Sequence, residues 1–147
     1  YLLRVGGFSG DGSGTISINC GGGGGGPAND ECTGATPLNL GANAFSTVLA
    51  TGVTVLPPEC ISFTSVNINN DVWYTYTATA TGTATISTCS TANFDTRLAA
   101  FSGTCDNLAI VACNDDGSGC TGFTSLMTFE ATCGTTYYIT HNQTPSP

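Results

Sequence analysis

VWYTYTATATGTATIST, residues Val72–Thr88, decides the fold. Its first eight residues alternate, with Val72, Tyr74 and Tyr76 on one side and Trp73, Thr75 and Thr77 on the other. Aromatic and β-branched residues at period two make a strand, because successive side chains of an extended chain point to opposite faces. Thr81–Gly82 supplies a turn, and Thr83–Thr88 reads as the returning strand. The pattern recurs downstream. Thr96–Phe101 and Leu108–Ala112 form a second pair across Ser102–Asn107, and Ser125–Glu130 and Thr136–Thr140 form a third. Upstream, Phe45–Ala50 and Val53–Leu56 are candidate strands. No segment carries an apolar repeat of 3.6 residues, so the reading is all-β: an antiparallel β-sandwich of short strands separated by turns.

The composition narrows the function classes. The chain has 147 residues, enough for one domain with a proper core. Arg4 and Arg97 are its only basic residues, and the net charge is −8. That balance argues against nucleic acid and against anionic membrane surfaces. No apolar run is long enough for membrane insertion. Eight cysteines without CxxC or Cys/His spacing favour disulfides over zinc, and so an oxidising compartment. With neither an initiator Met nor a signal peptide, the chain reads as a processed product or a fragment.

The segments around this body are unusual. Tyr1–Cys20, YLLRVGGFSGDGSGTISINC, reads as strand, Gly/Asp/Ser turn and strand, with Ile16 and Ile18 on one face. Gly21–Asp30 is a flexible Gly-rich linker, Glu31–Thr140 is the body, and His141–Pro147 is a polar tail. Gly134–Thr140, GTTYYIT, looks like the first half of a unit similar to Tyr1–Cys20 but has no returning strand. The chain thus carries a spare closing strand at its front and lacks one at its back. A strand from another copy can fill such a gap by donor-strand complementation. Leu3, Val5, Ile16 and Ile18 are the side chains it would bury.

NDVWYTYTATATGTATISTCSTANFDTRLAAFSGTCDNLAIVACNDDGSGC, followed by FTSLMTFEATCGTTYYIT, resembles repeat domains of secreted bacterial proteins related to the pre-peptidase C-terminal domains. The shared features are the Trp–Tyr strand, the FDTRLAAF strand, the NDD turn and the final GTTYYI strand. In such domains that strand runs on through an RVGG turn into a returning strand, which YLLRVGG…GTISINC resembles here. The resemblance implies a jelly-roll-like sandwich that is secreted and non-catalytic. The permuted order departs from the pattern. It fits a donor strand, or a piece of a tandem array in which Tyr1–Cys20 closes the preceding domain.

Strand directions collect carboxylates at one end of the sandwich. Asp71 and Asp95 begin strands that run the same way, and the strand from Leu108 returns into Asn114, Asp115 and Asp116. Hard oxygen donors at this density suit Ca²⁺, with Asp71, Asp95, Asn114, Asp115 and Asp116 as candidate ligands. The same Asn-Asp-Asp-Gly reads equally as a turn with Asx hydrogen bonds. An Asp95/Asp115 glycosidase pair would also need a cleft, which the sequence does not imply. His141 reads as a solvated tail residue, and neither GxSxG nor a phosphate-binding loop occurs. Trp73 reads as packing rather than as a glycan platform.

Topology also sorts the cysteines. Cys89, Cys113 and Cys120 fall near the carboxylate end, and Cys105 and Cys133 at the other. This pairs Cys105 with Cys133 and Cys113 with Cys120. Cys105–Cys113 is disfavoured, because an extended strand separates them. Cys32–Cys60 and the partner of Cys20 stay open: Cys20 bonds a neighbour's cysteine, or clasps Cys32 around the glycine run.

The expected protein is a non-catalytic, secreted structural subunit at the cell surface or outside the cell. Copies join head to tail as a homopolymer, hardened by disulfides and Ca²⁺. The alternative is an accessory domain of a larger secreted enzyme or adhesin, with a glycan or a surface protein as its partner.

Overall fold

The computed structural model describes residues 26–60 and 67–143. Leu3, Val5, Ile16, Ile18 and Cys20 of the expected donor segment lie outside the described residues, as do the first five glycines of the linker and residues 144–147 of the tail. Eight strands run in the order β1 (Thr36–Pro37), β2 (Gly52–Val55), β3 (Asn67–Thr77), β4 (Gly82–Ser87), β5 (Thr96–Thr104), β6 (Asn107–Asn114), β7 (Leu126–Ala131) and β8 (Thr136–Gln143). The only helical pieces among the described residues are two single 3-10 turns, at Cys32–Gly34 and Pro58–Cys60. No helix among them is long and apolar enough to cross a membrane.

The protein is an all-β sandwich. The larger sheet has the order β1-β3-β8-β5-β6, with β2 also on β3, and the smaller sheet is β4-β7. β3 pairs β8 antiparallel from Val72–His141 to Thr77–Thr136, and β8 pairs β5 antiparallel from Thr96–Gln143 to Phe101–Tyr138. The short β1 departs from the antiparallel rule and lies parallel to β3 at Tyr74 and Thr75.

Two of the three expected hairpins are corrected. Only β5 and β6 pair directly, with Gly103 at φ +101° in β5, opposite Leu108 and just before the turn. A Cβ there would lie 2.3 Å from the Asn107 carbonyl oxygen, so a side chain is excluded. β3 and β4 fall in different sheets, and so do β7 and β8. Both connections cross the sandwich at one corner and are hydrogen-bonded together there. Ala78 N–H donates to Thr135 O (3.0 Å), and Gly134 N–H donates to Ala78 O (2.8 Å). Phe45–Ala50 is not a strand. Phe45 instead packs against the core, and Ala50 is buried in it.

Alternation explains the core. Val72 and Tyr74 of β3, Leu98 and Ala100 of β5, and Tyr137 and Ile139 of β8 meet Met127, Phe129 and Ala131 of β7 between the sheets. Trp73, Ala99 and Phe101 point the other way, yet they are buried as well. Leu56, Cys60 and the Cys32–Ala35 region cover that outer face. The larger sheet is therefore apolar on both faces. Each fully buried aliphatic side chain, such as Ile139 or Leu98, contributes roughly 1.5–3 kcal/mol.

Two expected boundaries shift. β8 continues through His141–Gln143, so the tail begins later than His141. Pro27–Asp30 belongs to the body rather than to the linker. Asn29 is buried and brackets Trp73, donating from Nδ2 to Trp73 O (2.9 Å) while its own carbonyl accepts from Trp73 N–H (2.8 Å). Asp30 accepts from Thr51 N–H at 2.6 Å and from the Thr51 hydroxyl at 2.7 Å. These bonds hold its carboxyl below the usual carboxylate range, the Thr51 hydroxyl contributing most.

The disulfides also differ from the expected pairs. They are Cys32–Cys105, Cys60–Cys113 and Cys89–Cys120, and Cys133 is free among the described residues. Cys105–Cys133 fails because the two corners diverge laterally. Cys105 lies past β5, beyond β8, whereas Cys133 sits against Thr79 and Thr81 at the crossing toward the smaller sheet. Cys113–Cys120 and Cys32–Cys60 fail because Cys113 and Cys60 close the outer apolar face together. The Cys20–Cys32 clasp is excluded by the bond of Cys32 to Cys105.

Candidate functional site: an open strand edge and an acidic corner

Two places could carry function. The first is a cleft of about 670 Å³ between the sheets. One wall is β4 itself, Thr83–Ser87, and the other is the Leu38–Phe45 segment. Tyr74, Tyr76, Leu98, Ile139 and His141 lie between them. Among the described residues β4 pairs only with β7, from Gly82–Ala131 to Ser87–Leu126. Its other edge is an unpaired strand edge bordering this cleft, whose lining mixes apolar and polar side chains. Ala84 and Ile86 are only half-buried there, although both pack against the core.

His141 is the unexpected member of this cleft. It is 4% exposed and lies in β8 rather than in a solvated tail. Its ring stacks on Tyr74 at 5.8 Å and meets the edge of Phe45 at 4.2 Å. Neither ring nitrogen has a hydrogen-bond partner among the described residues. Burial disfavours the imidazolium and pushes its pKa down to about 4. The alternating pattern of Thr136–Thr140 continues through His141, and that was the signal for burial.

The second place is the acidic corner. Asp95, Asp115 and Asp116 bring ligand oxygens within 4.8 Å of one another. A buried hydroxyl network assembles it. The Thr88 and Thr96 hydroxyls are 2.6 Å apart, and Ser125 N–H donates to them at 3.0 and 3.1 Å. The Ser125 hydroxyl reaches the carbonyl oxygens of Thr96 and Asp115. Cys89–Cys120 ties the flanking loops. Gly117 lies so close to Cys120 Sγ that an added Cβ would stand 2.5 Å from it. In the sequence Thr88, Thr96 and Ser125 stand only as ends of expected strands, with nothing local to show that their hydroxyls meet.

Of the four expected carboxylates, Asp95, Asp115 and Asp116 gather and Asp71 does not. Asp115 forms a 2.7 Å ion pair with the buried Arg97. Asn114 accepts from Leu126 N–H at 2.8 Å, which holds the start of β7. Asp71 lies outside the cluster. It is fully buried and accepts from the hydroxyls of Thr54 and Thr140. Burial raises its pKa against those hydrogen bonds. Asp71 therefore joins β2 to β8 rather than completing a metal shell.

Comparison with protein families, with curated proteins and with solved structures finds no match to this chain.

Proposed function

We propose that the protein is a non-catalytic extracellular structural subunit, secreted and resembling a pre-peptidase C-terminal repeat, that polymerises by donor-strand exchange. Tyr1–Cys20 of one copy completes the sandwich of the next, with the glycine run as the hinge. The observation that carries this reading is the edge of β4, unpaired among the described residues, beside the cleft between the sheets. Main-chain hydrogen bonds along that edge supply affinity, and alternate side chains entering the cleft supply specificity. The contact is heterologous and does not close, so it propagates into a filament. Three disulfides suit an oxidising environment outside the cell.

Reach supports completion by another copy. Gly26 lies beside Leu49 and Asp30, and Asp30 is bound to Gly52, which faces Asp71. The far end of β4 lies beyond Thr77, at the other end of β3. Asp71 to Thr77 spans roughly 20 Å, and stacked sheets are about 10 Å apart, a straight line of about 22 Å. The six steps from Cys20 to Gly26 extend to at most about 20–22 Å. If the donor lies antiparallel on β4, with Cys20 at the Gly82 end, folding back onto the same copy would use that whole reach in a line through the body rather than around it.

In this proposal Asp95, Asp115 and Asp116 take calcium as a hardening element at the Ser87 end of β4. Hard carboxylate oxygens suit that ion, and Arg97 already balances one charge.

The test is electron microscopy of the full chain, of the chain lacking Tyr1–Cys20, and of the full chain with excess Thr15–Asn19 peptide. Filaments that vanish on deletion and shorten with peptide are expected. Monodisperse particles from the full chain would sink the reading and favour an accessory domain binding a glycan or a surface protein.

A further inference from the structure

The cleft between the sheets holds a polar group that the described residues leave unanswered. His141 pairs with Val72 of β3 and Leu98 of β5, which sets it on the floor of the cleft, on the larger sheet. Thr96, two residues before Leu98, meets the Thr88 hydroxyl at 2.6 Å, so His141 lies toward the Ser87 end of β4. Phe45 and Phe94 close that end. Their ring centroids are 5.9 Å apart, Phe45 lies 4.2 Å from the imidazole, and Tyr74 lies parallel to it at 5.8 Å. Both ring nitrogens are buried with no hydrogen-bond partner among the described residues. A buried donor or acceptor left in that state costs free energy until a partner reaches it.

The lining selects the chemistry of that partner. Among the described residues no carboxylate, lysine or arginine lines the cleft, so nothing there balances a charged ligand. Burial keeps the imidazole neutral at pH 7, with one nitrogen a donor and the other an acceptor. A hydroxyl both donates and accepts, so it suits whichever nitrogen faces the cleft. Nearby polar side chains are engaged already. The Thr88 hydroxyl is bonded to that of Thr96, and the Thr91 hydroxyl donates to Thr88 O at 2.9 Å. The Asn43 amide closes its own loop on Asn39 and Gly41. A sugar would bring several hydroxyls to a floor that answers one, whereas a ring with a single hydroxyl leaves none unpaired. The volume, about 670 Å³, is that of a small-molecule site.

We propose that this end of the cleft binds an uncharged ring alcohol of the phenol class, its hydroxyl hydrogen-bonded to His141 and its ring packed against Phe45 and Phe94. Phe45 is half-buried. Its ring turns aside to admit the ligand and then meets it edge to face. The inference does not rest on the donor-strand reading: the ligand occupies a copy whose cleft is free of a donor strand.

His141 is the only histidine of the chain, so ¹⁵N-histidine labelling reports on this ring alone. The full chain, taken as the monomeric fraction from gel filtration, is titrated with p-cresol, with p-xylene and with glucose. p-Xylene has the same ring with a methyl in place of the hydroxyl. Binding is followed by calorimetry and by NMR at the ring nitrogens. The expected result is saturable binding of p-cresol that moves a ring ¹⁵N signal, about tenfold or more tighter than p-xylene. His141→Phe keeps an aromatic ring and should lose that preference. No saturable binding of p-cresol would overturn the proposal. So would equal binding of p-cresol and p-xylene by the natural chain, a comparison that needs no variant, and so would a preference that survives in His141→Phe. Tighter binding of glucose would overturn the assigned class. Electron microscopy of the same preparation judges strand exchange separately. Filaments beside an imidazole that p-cresol leaves unmoved would overturn this site and leave strand exchange standing. A p-cresol shift in a chain that never forms filaments would support this site and overturn strand exchange alone.

Discussion

His141 makes the protein acid-sensitive, and the size of the effect follows from its burial. The ring packs between Phe45 and Tyr74, neither of which carries charge, and its pKa falls to about 4 from the ordinary 6.5. The folded value lies below the unfolded one, so the unfolded chain takes up the proton more readily. Stability is intact above pH 6.5, declines as pH falls, and reaches its full loss below about pH 4. A difference of roughly 2.5 units corresponds to about 3 kcal/mol in full, and to about 2 kcal/mol between pH 7 and pH 4.5. Asp71 acts in the opposite sense. Its raised pKa means that its contribution becomes more favourable as pH falls. The effect of His141 is isolated by comparison with His141→Leu, which keeps an apolar side chain of similar size and leaves Asp71 in place. Urea unfolding of both chains at pH 7 and pH 4.5 should show the natural chain losing about 2 kcal/mol more than the variant. Equal losses would refute the reasoning. So would an imidazole that titrates near 6.5 by NMR in the folded protein.

Other consequences are equally concrete. Ile139→Ala and Leu98→Ala should each cost about 2–5 kcal/mol in chemical unfolding, because both side chains are buried between the sheets; a loss below about 1 kcal/mol would contradict that packing. Cys32 and Cys105 are 73 residues apart, so replacing both by Ser should cost about 4 kcal/mol by the chain-entropy estimate, less where the other disulfides already constrain the unfolded chain; calorimetry showing no change would place the outer covering segment elsewhere. Calcium should raise the melting temperature, consistent with about 3 kcal/mol at a hundredfold excess over Kd, and Asp116→Asn should remove the rise; an unchanged melting temperature would refute the calcium assignment.

The alternation of Val72–Thr77, of Thr96–Phe101 and of Thr136–Thr140 determined the strands, because period two is a local property of an extended chain. It determined the fold class for the same reason. The cysteine count likewise pointed to disulfides, three of which are present. Strand direction places Asp71, Asp95, Asp115 and Asp116 at one end; the last three lie together, while Asp71 is held apart between β2 and β8. Pairing was not legible. The turns Ala78–Thr81 and Thr132–Thr135 look like hairpins, and only their mutual hydrogen bonds show the chain changing sheets at both. That single crossing relocated Cys133 away from Cys105 and left β4 with an open edge. Disulfide partners depend on which loops cover the outer face of the larger sheet, a long-range packing choice that no spacing encodes. His141 is buried because β8 continues past Thr140 between β3 and β5, a placement that the polarity of the residue does not reveal.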